Sequence, residues 1–273
     1  MSDVIVIEPD KGWKLISIRE SVRYRDLLYF LTIRSIKAKY AQSVLGVGWA
    51  ILQPLTQTLI FTVVFGNLAA LSSDGVPYIL FSFVAMVPWN YFSNILTESS
   101  TSLIQNKNLI SKVYFPRLIL PLSSVFSKLL DFAIGFVVML GFFIYYQFAP
   151  GIEVLVFPLL LIILVMTSLG TGMILSSLAV QYRDVQYAMS FLVRVLMYGA
   201  PVVYSIEIIP KEYLYVYALN PMVGVIEGMR SAFLGTKEMP WPLISISAIV
   251  ALILFLFGAF YFQKMERKFA DLT

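Results

Sequence analysis

Residues 106–122, NKNLISKVYFPRLILPL, decide how this chain is read. They form the only long polar interruption in the first half of an otherwise apolar sequence. They carry Lys107, Lys112 and Arg117 between two apolar runs, each long enough to cross a bilayer. Pro116 and Pro121 divide the stretch into a short helix and a restart, because proline disfavours helix in the residue before it and suits a first helical turn. The stretch is an elbow joining two spans, and its basic residues place it on the cytoplasmic side.

Composition agrees with that reading. Of 273 residues, 59% are hydrophobic and 13% charged, and the mean hydropathy of +0.82 is far above that of a soluble globule. The expected class is an all-α polytopic membrane protein. The absence of cysteine excludes disulfides and thiolate metal sites. The absence of histidine removes the commonest proton shuttle and metal ligand. The net charge of +4 is explained by where the basic residues sit, so nucleic acid is not an expected partner.

Outward from the elbow, residues 1–13 carry acidic residues and no basic stretch before an apolar core, which predicts a cytoplasmic arm and no cleaved signal. Over 15–40 the pattern turns helical. Val22, Tyr29, Ile33, Ile36 and Tyr40 share one stripe and Tyr24, Leu27, Leu28 and Leu31 another, with Arg23, Arg34 and Lys37 between them. This predicts an amphipathic interface helix in the headgroup zone, and residues 1–44 are assigned to arm and helix. Its basic side chains either anchor it to anionic lipid or handle a phosphate-bearing substrate.

Residues 45–273 are assigned to a six-helix transmembrane domain with spans over about 45–71, 78–96, 119–148, 154–180, 186–204 and 242–262. The coupling elbow falls at 103–117. Placing both termini, the elbow and the 181–184 turn in the cytoplasm gathers the basic residues there. The opposite loops 72–77 and 149–153 hold no Lys or Arg. The segment 205–241 is too long for a turn and too apolar for a solvated loop. Asn220 and Pro221 split it into helical pieces over 211–219 and 222–234, and Glu227 and Arg230 are spaced to pair on one face of the second. It reads either as a re-entrant helical pair capping an exit or as an amphipathic surface segment.

LGVGWAILQPL (45–55), KVYFPRLILPL (112–122), YRDV (182–185), PVVYS (201–205) and LNP (219–221) occur in this order and spacing. With them the chain resembles the permease subunit of bacterial polysaccharide-exporting ABC transporters, the family of the Wzm, KpsM and TagG permeases. A departure is Ser35, where relatives usually carry Asp after the Arg. The resemblance implies a homodimer in the bacterial inner membrane beside two copies of a separate ATPase, moving lipid-linked polysaccharide such as O-antigen, capsule or teichoic acid. No G-x-x-x-x-G-K-[ST] phosphate loop occurs in the sequence, so ATP and Mg are expected on that partner and no cofactor or catalysis in this chain. The family's coupling helix maps onto Asn106, Lys107, Asn108, Leu109, Ile110, Ser111 and Lys112. Arg183 and Asp184 would be a lesser contact, or would pair with each other or with lipid headgroups.

A sugar polymer slides over aromatic faces, which makes Trp49, Phe61, Trp89, Tyr91, Phe92, Phe191 and Tyr198 candidate channel linings; aromatic residues also gather at membrane interfaces for structural reasons. Pro201, Tyr204, Asn220, Pro221, Glu227 and Arg230 are the candidate gate. Charges inside spans are costly. Lys128 and Asp131, three apart, are expected to pair. Arg194 has no local acidic partner and is expected to face protein, a wet lumen or phosphate, and Glu98 is expected to be interfacial. The alternative function is a permease of the same fold for a small hydrophobic compound. A membrane-embedded enzyme is disfavoured by the lack of histidine and of clustered intramembrane carboxylates.

Overall fold

The computed structural model of the chain describes residues 22–41 and 43–269, with side chains as far as Glu266. The arm expected over 1–13, the first part of the helical pattern and the last tail residues lie outside them. Among the described residues the regular structure is entirely helical. Helix α1 is Arg25–Tyr40; α2 is Gly48–Phe61, continued by a π-helical stretch Thr62–Leu68; α3 is Tyr78–Gln105. The elbow holds α4, Lys107–Ile110. Then come α5, Ile119–Tyr145, α6, Phe157–Gln181, after a 3-10 turn Ile152–Val156, and α7, Asp184–Tyr198. The chain ends with α8, Leu214–Tyr217, α9, Pro221–Leu234, and α10, Trp241–Phe269.

Five helical segments among the described residues are long and apolar enough to cross a membrane: Gly48–Leu68, Tyr78–Gln105, Ile119–Tyr145, Ile152–Gln181 and Trp241–Glu266. They match five of the six expected spans. The fifth expected span is shorter than its sequence suggested. Its helix has 15 residues, about 22 Å at 1.5 Å per residue, against a hydrocarbon core of about 30 Å. The reason is local: Gly199, Ala200 and Pro201 end α7, and the chain continues to Ser205 in turns.

The bundle is organised around α3, which touches α2, α5, α6, α7 and α9. Its first half is buried almost without interruption, from Leu80 to Trp89. Helices α6 and α10 make the most intimate pair because glycines let the backbones meet. A Cβ on Gly258 would stand 2.3 Å from the Gly170 carbonyl oxygen, and one on Gly170 would stand 2.7 Å from the Leu254 backbone. In lipid, where apolar burial between helices gains little, such backbone proximity is what holds a pair together.

Helix α9 lies wholly inside: all of its 14 residues are buried, against α3, α6 and α10. The segment 221–234 is therefore not an amphipathic surface piece. Asn220 caps it by accepting from the Met222 amide at 3.1 Å, Pro221 takes the first turn, and Gly235 closes it at φ +60°. The preceding piece differs, exposing Tyr213, Tyr215, Val216 and Leu219.

One end of the bundle gathers the elements carrying most of the basic residues. Leu31 of α1, Leu103, Phe115, Leu118, Ile119, Phe262 and Met265 form one cluster, with Leu109 and Ile110 packed against it. Of the two α1 stripes, the Tyr24, Leu27, Leu28 and Leu31 one meets protein, while Tyr29 on the other is 70% exposed. At the opposite end, Lys237 joins Asp74 at 2.9 Å and Glu207 at 3.1 Å. Ser205 donates to Asp74 at 2.8 Å, so the loops 69–77 and 199–241 are tied together.

Candidate functional site

Two regions bring the expected residues together. The first is the elbow. Lys107, Asn108, Ser111, Lys112 and Val113 are exposed there, and Tyr114 is 75% exposed. Leu109 and Ile110 are only half-exposed, because they turn toward the cluster around Leu103 and Phe115. The elbow is tied on both sides. Arg34 of α1 donates to Asn106 Oδ1 at 3.1 Å. The Arg117 amide donates to Glu266 Oε1 at 3.0 Å, and its guanidinium to the Glu266 carbonyl, fixing the elbow to α10. The Asn106 side chain also donates back to Ser102 O at 2.8 Å. The elbow is thus bonded to α1, α3 and α10 together. Pro121 sits in the first turn of α5, where its missing N–H leaves no bond unmade. Arg23, two residues before α1, and Lys37 on it are exposed, as are Arg183 at the N-cap of α7 and Asp184 in its first turn.

The second region is the turn that closes α7, where the candidate gate residues converge. Backbone carbonyls withdrawn from water need donors, and here five of them are served by side chains, while Ala200 O accepts from the Val202 amide at 2.7 Å. Tyr204 Oη donates to Tyr198 O at 2.8 Å and Asn220 Nδ2 to Gly199 O at 2.9 Å. Arg230 donates to Val202 O at 3.0 Å and to Tyr204 O at 3.2 Å, and the Tyr78 hydroxyl donates to Val203 O. Pro201 and Pro221 are buried beside them. Arg230 also pairs with Glu227 at 2.8 Å and lays its guanidinium 3.5 Å from the Phe81 ring centroid. The pairing expected from their spacing is present, in an almost dry setting. Tyr217, whose hydroxyl meets Tyr204 at 2.7 Å, has its phenol pushed up by burial and by that hydrogen bond, so it stays neutral.

The candidate channel residues separate. Trp49, Phe191 and Tyr198 are 48%, 67% and 56% exposed, and Arg194 is exposed, donating among the described residues only to Ser190 O of its own helix at 2.9 Å. On α7, Tyr187, Phe191, Arg194 and Tyr198 follow one helical stripe. Tyr187, at 83% exposure, is a member that the sequence reading missed although the four-residue spacing announces it. Phe61, Trp89 and Phe92, by contrast, are buried packing residues, and Tyr91, also buried, borders only a small cleft beside Asn90 and Asn94. Phe61 packs edge-on to Phe65, Trp89 against Phe92, and Tyr91 edge-on to Phe132. They were expected in the channel because an aromatic core and an aromatic wall have the same composition.

The intramembrane charges also pair differently from the expectation. Lys128 bonds to Glu98 of α3, and Asp131 accepts from Lys39 at 2.6 Å and from the Tyr40 hydroxyl. Each partner comes from another helix, so the charge is neutralised where two helices meet. Burial, reinforced by Asp131, holds the Tyr40 phenol above its ordinary range. Among the described residues no group of three or more acidic side chains is arranged to hold a metal.

Proteins similar to this chain are transport components. The O-antigen export system permease protein RfbA of Klebsiella pneumoniae is 29% identical over 248 residues, covering 90% of this chain and 95% of the relative. The protein of the same description from Myxococcus xanthus is 29% identical over 258 residues, covering 93% and 98%. The polysialic acid transport protein KpsM of Escherichia coli is 25% identical over 210 residues, covering 74% and 79%. Residues 26–234, which include the elbow, the α7 turn and the buried α9, match the ABC-2 type transporter family, and the chain belongs to that family.

Proposed function

We propose that this chain is the membrane permease of an ATP-driven exporter that moves lipid-linked polysaccharide, of the O-antigen or capsule kind, from the cytoplasm across the bacterial inner membrane. Family membership and relatives whose names specify O-antigen export and polysialic acid transport support the class of cargo. In this reading two copies of the chain work beside two copies of a separate ATPase, which binds nucleotide and magnesium. Residues 184–205 complete a sixth crossing, and both termini are cytoplasmic. Helix α1 is the interface helix, with Arg23, Arg34 and Lys37 toward lipid phosphates. Residues 205–241 cap the exit, and the α7 stripe with Trp49 offers aromatic faces to the glycan.

The observation that carries the mechanism is the elbow's double attachment through Arg34 and Arg117 to α1 and α10. An ATPase pressing on 106–112 would move these helices as a unit. Because Leu109 and Ile110 are half-buried, Asp at either position costs elbow packing as well as partner contact. The sharper test is the exposed pair Lys112→Glu with Val113→Asp, made in the full chain expressed with its ATPase. The expected outcome is a permease that inserts normally but no longer co-purifies with the ATPase and no longer supports surface polysaccharide. Unchanged co-purification and export would overturn the elbow as the docking surface.

A further inference from the structure

Helix α3 is buried along its length except at Ile79 and along one stripe beginning near the middle of the helix. Apart from Ile104, the accessible positions on that stripe are polar: Asn90, Asn94, Thr97, Glu98, Thr101 and Gln105. Asn90 stands 12 residues from Tyr78, about 18 Å from that end of the helix. The stripe runs from there to the elbow along a crevice that α1, α2 and α5 wall. Its lower part is bridged by cross-helix pairs, Arg34 with Asn106 and Lys128 with Glu98, between which the stripe stays accessible. Its deep end is a cleft where Gln53 of α2 and Asn90 and Asn94 of α3 face Lys39 and Asp131, with Tyr91 and Phe132 forming the floor.

The three carboxamides at the deep end have no side-chain hydrogen-bond partner among the described residues. Along a helix of membrane-spanning length such groups are tolerated only where they meet water, protein or a polar ligand, and here no described residue partners them. The cleft volume of about 40 Å³ holds a water or two but no sugar ring. A ligand would therefore lie across the mouth, where Gln53 is exposed, and put hydroxyls where the waters were. The lysine and aspartate neutralise one another at 2.6 Å, so the deep end carries no net charge to hold a phosphate. Uncharged groups that both donate and accept, beside aromatic edges, match vicinal hydroxyls.

We propose that this crevice is a saccharide-binding furrow, in which Gln53, Asn90 and Asn94 hydrogen-bond hydroxyls of a sugar whose lipid carrier remains in the surrounding bilayer. The assignment rests on the export reading and adds a site distinct from the α7 stripe.

The chain has no cysteine, so a single introduced thiol is its only one. The test uses Asn94→Cys in the full chain with its ATPase, in inside-out vesicles treated with a charged, membrane-impermeant thiol reagent. Ile95→Cys, at a fully buried neighbour, sets the dry rate and Asp26→Cys, exposed on the first turn of α1 and away from the elbow, the wet one. Labelling at 94 is expected near the wet rate. A polyprenyl pyrophosphate carrying one hexose, at ten times its Kd, is expected to slow it about tenfold, while the same lipid without sugar does not. Labelling at the dry rate would show a sealed seam and overturn the proposal. Equal protection by the sugar-free lipid would mean that pyrophosphate is read instead of hydroxyls, and no protection by either a hydrated seam that holds no substrate; both overturn it. Restoration of surface polysaccharide by the unaltered chain in cells lacking their permease tests the export reading separately.

Discussion

Replacing Arg230 with methionine tests the α7 turn most directly. The side chain is 2% exposed and donates to Glu227, Val202 O, Tyr204 O and, at 3.4 Å, Phe81 O. Removing it strands a buried carboxylate at Glu227 and leaves the turn carbonyls without these donors. Breaking a buried pair in this way costs about 3–5 kcal/mol. Glu227→Leu should cost less, about 1–3 kcal/mol, because Arg230 keeps its carbonyl acceptors and its place over the Phe81 ring. The double variant should be less damaged than the two single costs added together, since it leaves no stranded carboxylate. Arg230→Lys should resemble the methionine variant, because one ammonium cannot replace a planar fork reaching several acceptors. The assay is reversible unfolding of the purified permease in mixed micelles, with export measured in parallel. The reasoning fails if Glu227→Leu is as damaging as Arg230→Met, or if the methionine variant matches the unaltered chain.

Three further outcomes follow from the contacts. Exchanging Glu98→Lys with Lys128→Glu should recover much of the expression lost in either single variant, whereas exchanging Lys128→Asp with Asp131→Lys should not; recovery by the second exchange alone would contradict the pairing described here. Gly258→Leu should separate α6 from α10 and abolish a monodisperse preparation, since even a Cβ would meet the Gly170 oxygen at 2.3 Å; a well-folded variant would refute the close approach. Tyr187→Ala and Phe191→Ala, on exposed positions, should change stability by no more than about 0.5 kcal/mol yet lower export in cells; undiminished export would remove the stripe from the path.

Much of the scaffold was legible because a bilayer imposes simple rules. Apolar runs of the required length gave five spans, and Pro116 with Pro121, or Asn220 with Pro221, gave the breaks between shorter pieces within a few residues. What could not be read depends on neighbours remote in sequence. Lys128 and Asp131 look like a local pair, but Glu98 and Lys39 reach them from other helices. Trp89, Tyr91 and Phe92 carry the composition of a sugar-facing wall, yet α3 is enclosed on several sides and they fill its packing. Helix α7 stops early because Gly199 and Pro201 outweigh the apolar residues that follow. On the elbow, the family resemblance assigns all of Asn106 to Lys112 to the partner-facing surface, whereas the cluster beneath claims part of Leu109 and Ile110.

The enclosure of α9 also constrains the order of biogenesis. Its 14 residues are too few to span a bilayer alone, and one of the walls that covers it, α10, is synthesised after it. While α10 is still in the ribosome, α9 can lean on α3, α6 and the 3-10 turn before α6 but lacks the wall that α10 supplies. Folding of this half must therefore finish from the C-terminal end, after the last helix leaves the translocon.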